Sequence, residues 1–181
     1  MPPSPLPALK KALGPDAPSD ARPVVVLGVG SPLRSDDAVG LRVAAGLEAA
    51  IRGRPGGGIP GLSVFQAGPA PENFTSEIRR LHPAVVLVVD CARMGEAPGS
   101  LRVIEPAQIA GVSFGTHGLP LSVLADYLHH EVGCSMIFLG IEPEGVEPGE
   151  TLSTPAQAGV NEAISVLIDI FLDAGRRMPL S

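Results

Sequence analysis

The chain has 181 residues, of which 45% are hydrophobic and 18% charged, and its formal net charge is −6. This length predicts one domain around a single large core, and the hydrophobic content excludes a disordered acidic tail. The acidic balance, 3% aromatic residues and absence of tryptophan argue against a nucleic-acid binder, which needs clustered basic residues or stacking platforms.

The two ends of the chain are predicted to lie outside the core. Residues 1–22 contain six prolines and predict an extended or flexible N-terminal segment. A single domain is expected over residues 23–175, followed by a short tail over residues 176–181.

The sequence predicts a cytoplasmic protein without membrane contact. The first residues lack the apolar stretch of a signal peptide, and no run approaches the ~18 apolar residues of a membrane span. Cys91 and Cys134 do not form a Cys-x-x-Cys pair, and we expect both thiols to be reduced.

From residue 24 onward, buried strands and amphipathic helices alternate. Apolar runs predict strands at 24–27, 62–67, 84–89, 101–104 and 135–141, with 101–104 at an edge of the sheet. Apolar stripes at helical spacing predict helices at 36–47, 71–81, 119–130 and 155–174. This alternation predicts an α/β fold, a three-layer αβα sandwich with a twisted, mostly parallel sheet of about five strands.

Common nucleotide and hydrolase motifs are incomplete or missing. Gly28 and Gly30 follow the first strand, but Leu33 stands where a dinucleotide fingerprint needs a small residue. The sequence has no Gly-Lys-Ser/Thr of a P-loop and no Gly-x-Ser-x-Gly of a serine hydrolase.

Polar residues follow the predicted strands at the edge where α/β proteins bind ligands. Asp36 and Asp37 follow the first strand, Asp90 ends the strand that begins at residue 84, and His117 precedes a helix. Two carboxylates and an imidazole form an incomplete shell for zinc or nickel. Each residue also has a structural interpretation: Asp36 as a helix cap, Asp90 as an acceptor for loop amides, and His117 as a hydrogen bonder.

Five segments in this order resemble one enzyme family. They are Leu27-Gly-Val-Gly-Ser-Pro-Leu-Arg-Ser-Asp-Asp37, Ala67-Gly-Pro-Ala-Pro-Glu-Asn73, Val88-Val-Asp-Cys-Ala-Arg-Met-Gly95, Thr116-His-Gly-Leu-Pro-Leu121 and Ile137-Phe-Leu-Gly-Ile-Glu-Pro143. Over residues 24–172 the chain resembles the [NiFe]-hydrogenase maturation endopeptidases, and most closely the type that processes the large subunit of hydrogenase 3.

The resemblance implies a fold, an activity and a set of site residues. The family has a twisted, mainly parallel sheet between helix layers, and it removes a C-terminal extension from the hydrogenase large-subunit precursor after nickel insertion. Its metal-contacting residues match Asp37, Asp90 and His117. The nickel is expected to be carried by the precursor, and zinc or another divalent ion is expected to fit the site in vitro.

The resemblance also bears on mechanism. No Ser or Cys stands beside a His in sequence, which favours direct attack by water, as in aspartyl-type peptidases. Asp37 and Asp90 are the candidate catalytic residues, with Asp36 or Asp37 as the proton acceptor. Both Asp37 and Asp90 are expected to lie outside the core, because an unpaired buried carboxylate is costly.

Two departures from the family pattern bear on the substrate, and two rival functions stay open. Ser31 replaces the usual Asn, and Ala38 replaces a Gly of the nearest subgroup. One rival is a non-catalytic nickel-binding or docking module, which would use the same three ligands. The other is a related peptidase with a substrate other than a hydrogenase.

Overall fold

The computed structural model describes residues 5–14, 18–54, 58–114 and 119–176. Within these ranges the helices and strands follow in chain order as α1 (Leu6–Leu13), β1 (Val24–Val29), α2 (Val39–Arg52), β2 (Leu62–Gly68), α3 (Thr75–Leu81), β3 (Val85–Arg93), β4 (Leu101–Ile104), β5 (Ser113–Phe114), α4 (Leu121–Val132), β6 (Ser135–Ile141) and α5 (Thr154–Arg176). Among the described residues, none of the helices combines the length and the apolar character that crossing a membrane would need.

One mostly parallel sheet organises the described part of the chain. Its strands lie in the order β2-β1-β3-β6-β4, and β5 pairs with β3. β1, β2, β3 and β6 run parallel, whereas β4 is antiparallel to β6 and β5 is antiparallel to β3. The predicted edge strand at 101–104 is confirmed as β4. The strand β5 was not predicted, because a strand of two residues has no recognisable sequence pattern.

Alternate residues of each central strand enter two separate cores. In β1, Val24 and Val26 pack into the core that contains α1, α2 and α5, whereas Val25 and Leu27 pack into the core that contains α3 and α4. The sheet is therefore covered on both faces, which confirms the predicted three-layer α/β sandwich.

Part of the N-terminal segment is packed into the core, so the prediction that residues 1–22 lie outside it is wrong for α1. Leu9 and Leu13 lie one helical turn apart and are fully buried against the same core as α5. Pro5 and Pro7 are compatible with this helix because they precede it or lie in its first turn. Residues 1–4 and 15–17 of this segment, and 177–181 of the predicted tail, lie outside the described residues.

The strand that carries Asp90 is longer than predicted. β3 continues to Arg93, since Asp90 and Cys91 still pair with β6. Its pairing with β1 ends two residues before its pairing with β6, at Val89. Asp90 therefore lies within β3, just past the last residue of β3 that pairs with β1. From there, that side of β3 faces the residues that follow β1.

Glycines allow α2 to begin close against this point of the sheet. A Cβ on Gly40 would overlap the backbone carbonyl oxygens of Val29 and Val89. A Cβ on Gly28 would in turn overlap the carbonyl oxygen of Gly40. The close approach of helix and strands brings the residues just before α2, which include Asp37, to the end of β1 beside Asp90.

Candidate active site

The segment between β1 and α2 does not form the predicted regular helix start. Residues Ser35–Ala38 form a 3₁₀ turn, and Ser35 has a positive φ of 43°. Ser35 N–H donates to the carbonyl of Gly149 (2.7 Å), and Gly149 N–H donates to the carbonyl of Leu33 (2.9 Å). The segment is thus held by a loop that follows β6, far away in sequence.

Asp36 is the side chain that joins these two segments. Its Oδ1 accepts a hydrogen bond from the backbone N–H of Ser153 (2.7 Å), and its Oδ2 accepts from Ser153 Oγ (2.8 Å). Oδ2 also accepts from the N–H groups of Glu144 (2.9 Å) and Gly145 (3.3 Å). The carboxylate is fully buried and makes no helix-capping bond, so the capping interpretation is wrong and Asp36 is a tertiary anchor.

Asp37 is buried at the opening of α2, with 3% of its surface exposed. Its Oδ2 accepts a hydrogen bond from the backbone N–H of Ser31 (2.9 Å). Its carbonyl oxygen lies against Gly30, whose φ of 133° excludes other residue types there. Gly30 therefore allows the close approach of the Asp37 backbone, and Ser31 holds the Asp37 carboxylate.

Asp90 is fully buried, and one of its oxygens has no partner among the described residues. Oδ1 accepts a hydrogen bond from the N–H of Cys91 (2.7 Å), whereas Oδ2 is without one. Burial raises the pKa of Asp90 well above its usual value, the negative charge of Asp37 raises it further, and the Cys91 bond opposes both effects. The expectation that Asp37 and Asp90 lie outside the core is therefore wrong: folding holds both carboxylates inside.

Cys91 is not equipped to act as a nucleophile. Its side chain is buried at 2% exposure, and burial raises the pKa of its thiol far above the ordinary value. The charges of Asp90 and Asp37 add to this shift. Because the thiolate is the reactive form, the structure agrees with the inference that no covalent cysteine intermediate is used.

The third predicted metal ligand, His117, lies outside the described residues. Within the described ranges, no cluster of three or more His, Cys, Asp or Glu side chains has a metal-binding arrangement. The structure does bring Asp37 close enough to Asp90 for its negative charge to raise the pKa of Asp90.

Two glutamates at the same edge of the sheet were not singled out from the sequence. Buried Glu142 follows β6, and its Oε2 accepts hydrogen bonds from the N–H groups of Met94 (2.6 Å) and Glu96 (3.2 Å), fixing the loop after β3. Glu72 follows β2, and its Oε2 is buried without a partner among the described residues. Both lie in segments that carry the family resemblance, which was the only available signal.

Comparison with known proteins gives consistent matches. The HycI hydrogenase maturation protease family matches residues 42–170. The hydrogenase 3 maturation protease of Escherichia coli K12 is 39% identical over 121 residues, which are 66% of this chain and 72% of that protein. The solution structure of the endopeptidase HycI from Escherichia coli is 35% identical, with a TM-score of 0.64, and the match covers 77% of this chain and 85% of that one.

A more distant structure supports the fold over nearly the whole chain. The HycI crystal structure from Thermococcus kodakarensis KOD1 has a TM-score of 0.76 at 24% identity and covers 91% of this chain and 99% of that one. The predicted family and peptidase activity are confirmed by the family match and by the more similar relatives. The chain belongs to the hydrogenase maturation protease family.

Proposed function

We propose that this protease removes a C-terminal extension from the large-subunit precursor of a [NiFe]-hydrogenase, and that Asp37, Asp90 and His117 contact nickel carried by the precursor. The observation that carries the proposal is the buried Oδ2 of Asp90, which has no hydrogen-bond partner in the described part of the chain and lies beside the charge of Asp37. The names of the hydrogenase 3 relatives support a substrate of that type.

A cation bound between Asp37 and Asp90 would stabilise this pair of buried carboxylates. Nearly all buried polar groups in proteins are hydrogen-bonded, and an exception requires an explanation. Two carboxylates that repel each other at full burial cost free energy in the free protein, and a cation between them would replace repulsion with attraction. A carboxyl group whose pKa is raised by burial and by a neighbouring charge is typical of a functional site.

Nickel delivered by the substrate fits this partial ligand set. Imidazole is a favourable ligand for nickel, so His117 would be the third protein ligand beside the carboxylates of Asp37 and Asp90. Three protein ligands leave coordination positions for groups of the precursor, which would position the scissile bond against the enzyme. If Asp37, Asp90 and His117 held the nickel in this way, it would supply recognition of the precursor and would polarise nearby groups.

The chain's own residues favour hydrolysis by water. Both oxygens of Asp36 accept hydrogen bonds that hold the loop over residues 144–153, so its role is that of a structural anchor. We therefore assign proton acceptance to Asp37, the other acid of that segment. The low reactivity of the Cys91 thiol supports this aspartyl-type route over a covalent one.

The state of the cysteines supports a reducing compartment. Cys91 and Cys134 are both buried and both unpaired. Persistent free thiols of this kind are typical of cytoplasmic proteins, so we place the reaction in the cytoplasm.

The test is cleavage of a purified nickel-loaded precursor, followed by mass spectrometry of the product. Wild-type protein should release one C-terminal peptide, whereas Asp37→Asn and Asp90→Asn should lower the rate at least 100-fold because each removes a coordinating charge. Asp169→Asn, an exposed acid on α5, is the matched control and should cleave normally.

Three outcomes would count against the proposal. An intact precursor after incubation with wild-type protein would refute the proposed reaction. Normal cleavage by both Asp37→Asn and Asp90→Asn would refute the metal-contacting role of the acid pair. Cleavage that proceeds equally with nickel-free precursor would remove nickel from the recognition step.

A further inference from the structure

Glu72 carries a buried carboxylate oxygen that has no structural partner among the described residues. The residue follows β2 in a 3₁₀ turn over Pro71–Phe74, and its side chain is partly buried. Its Oε2 is buried and accepts no hydrogen bond from any described residue. Buried polar atoms in proteins are almost always hydrogen-bonded, so this oxygen requires an explanation. Asp90 is the other described residue with such an oxygen.

The usual structural roles of an acid at the start of a helix do not explain this oxygen. The Glu72 side chain makes no capping hydrogen bond in its turn. The backbone of the turn is held by other groups, since Thr75 Oγ1 donates to the carbonyl oxygen of Glu72 (2.9 Å) and Asn73 N–H donates to that of Ala70 (3.1 Å). The helix dipole favours an acid in a first turn, but that attraction does not require a buried oxygen. The carboxylate is therefore available to a ligand.

Glu72 follows the strand that ends beside the acid pair Asp37 and Asp90. β2 is parallel to β1, and its last residue, Gly68, accepts a hydrogen bond from Gly30 N–H (3.0 Å). Gly30 in turn lies against the backbone of Asp37. The turn that carries Glu72 begins three residues after Gly68, at the same edge of the sheet.

This turn folds back onto β2 and stays within reach of a peptide bound at the acid pair. Phe74, its last residue, packs on Phe65 of β2 with ring centroids 5.3 Å apart, and Pro71 is buried. Neighbouring strands are about 4.8 Å apart, so the end of β2 lies about 10 Å across β1 from Asp90. An extended peptide advances about 3.5 Å per residue, so a chain end held at the acid pair reaches this turn within a few residues.

A positively charged group is the ligand that fits the buried oxygen of Glu72. In the described part of the chain, Glu72 forms no metal-binding cluster with the acid pair, so a shared metal ion is not its ligand. A hydrogen bond from a cationic side chain to a carboxylate is about twice as strong as one between neutral groups. Asp36, Asp37 and Glu142 are further buried acids at this edge, and their charges favour a basic partner.

We propose that Glu72 binds a basic side chain (Arg, Lys or His) of the precursor close to the bond that is cleaved. The inference rests on the proposed function and adds a contact that reads the amino-acid sequence of the substrate. When the precursor binds, its basic side chain supplies the donor that Oε2 lacks among the described residues. The unfavourable burial of this oxygen is thus relieved only in the complex.

Steady-state kinetics on the nickel-loaded precursor test this contact. Glu72→Gln keeps the size of the side chain and removes its charge, so KM should rise about tenfold while kcat stays within about twofold. Glu72→Ala removes the acceptor altogether and should raise KM at least as much. Glu77→Gln on α3, another partly buried glutamate, is the matched control and should keep the wild-type KM. An equal rise in KM for Glu77→Gln would reduce the effect to general electrostatics and would overturn the contact.

Variants of the precursor identify the group that Glu72 binds. Each Arg, Lys or His within about ten residues of the cleaved bond is replaced by Gln, one at a time. One replacement should raise KM for the wild-type protease and have no further effect on Glu72→Gln, as expected for a direct pair in a double-mutant cycle. A rise in KM for Glu72→Gln without any such coupling would show that the ligand is a neutral group and would overturn the proposal.

Urea unfolding separates binding from a structural role. Because Oε2 accepts no hydrogen bond from the described residues, Glu72→Gln should unfold at a urea midpoint equal to or above that of wild type. A midpoint clearly below that of wild type would assign Glu72 a structural role and overturn the inference. Wild-type KM in both Glu72 variants would also overturn it and leave the proposed function standing. Failure of the wild-type protein to cleave the precursor would refute the proposed function and this inference together.

Discussion

Replacing Asp90 with Asn should remove a loss of stability that the wild-type protein shows as pH rises. In the folded protein, burial and Asp37 raise the pKa of Asp90 well above its usual value, whereas an unfolded Asp titrates near 3.9. Between these two values the folded state binds one more proton than the unfolded state. The free energy of unfolding therefore falls as pH rises through this interval. The stabilising contribution of protonated Asp90 is fully present only below the pKa of the unfolded state.

The magnitude follows from the single proton involved. One proton changes the free energy of unfolding by at most about 1.4 kcal/mol per pH unit. Asp90→Asn cannot ionise, so its stability relative to wild type should rise with pH at up to this slope, starting near pH 4. Asp37→Asn removes one cause of the raised pKa of Asp90. In this variant, the pH range over which stability falls should therefore end at a lower pH than in the wild-type protein.

The assay is urea unfolding of metal-free protein in chelator at half-unit steps from pH 4 to pH 8, with wild type, Asp90→Asn and Asp37→Asn in parallel. Asp169→Asn, exposed on α5, is the control and should track wild type. Parallel stability curves for wild type and Asp90→Asn across the whole range would show that Asp90 titrates normally and would refute the argument from burial.

Three further changes test the framework of the site. Asp36→Ala should cost about 3 kcal/mol, since it removes four hydrogen bonds to a fully buried carboxylate, and urea unfolding measures this loss. Gly40→Ala should lower Tm steeply or prevent folding because its Cβ overlaps two strand carbonyls, whereas Gly58→Ala meets no atom within 4 Å and should be neutral by calorimetry. Leu13→Ala should cost 2–5 kcal/mol by denaturant unfolding, and a loss below about 0.5 kcal/mol would show that α1 is not part of the core.

The strand and helix pattern was predictable because buried parallel strands have a simple sequence signature. The run from Val85 to Val89 is apolar at every position and is buried on both faces, as predicted. The end of β3 was not predictable, since Asp90 is a poor strand residue and its pairing with β6 depends on Gly140, 50 residues further along the chain.

The role of the N-terminal segment was obscured by composition. Six prolines indicated an extended chain, yet Pro5 precedes α1 and Pro7 lies in its first turn, where the missing N–H costs nothing. Leu9 and Leu13 are two apolar residues at helical spacing, which is too short a pattern to predict burial without the surface of α5 that covers them.

The sequence by itself determined the family, the three-layer α/β fold and the presence of acids after the first strand and after the apolar run that ends at Val89, because these follow from local motifs and residue periodicity. Only the tertiary structure decided what each acid does. Asp36 and Asp37 are adjacent and chemically identical, but Asp36 receives donors from the loop over residues 144–153 and becomes an anchor. Asp90 lies in the core with an oxygen that nothing described satisfies. Burial, charge proximity and hydrogen-bond supply come from segments distant in sequence, and they set the free energy of each carboxylate.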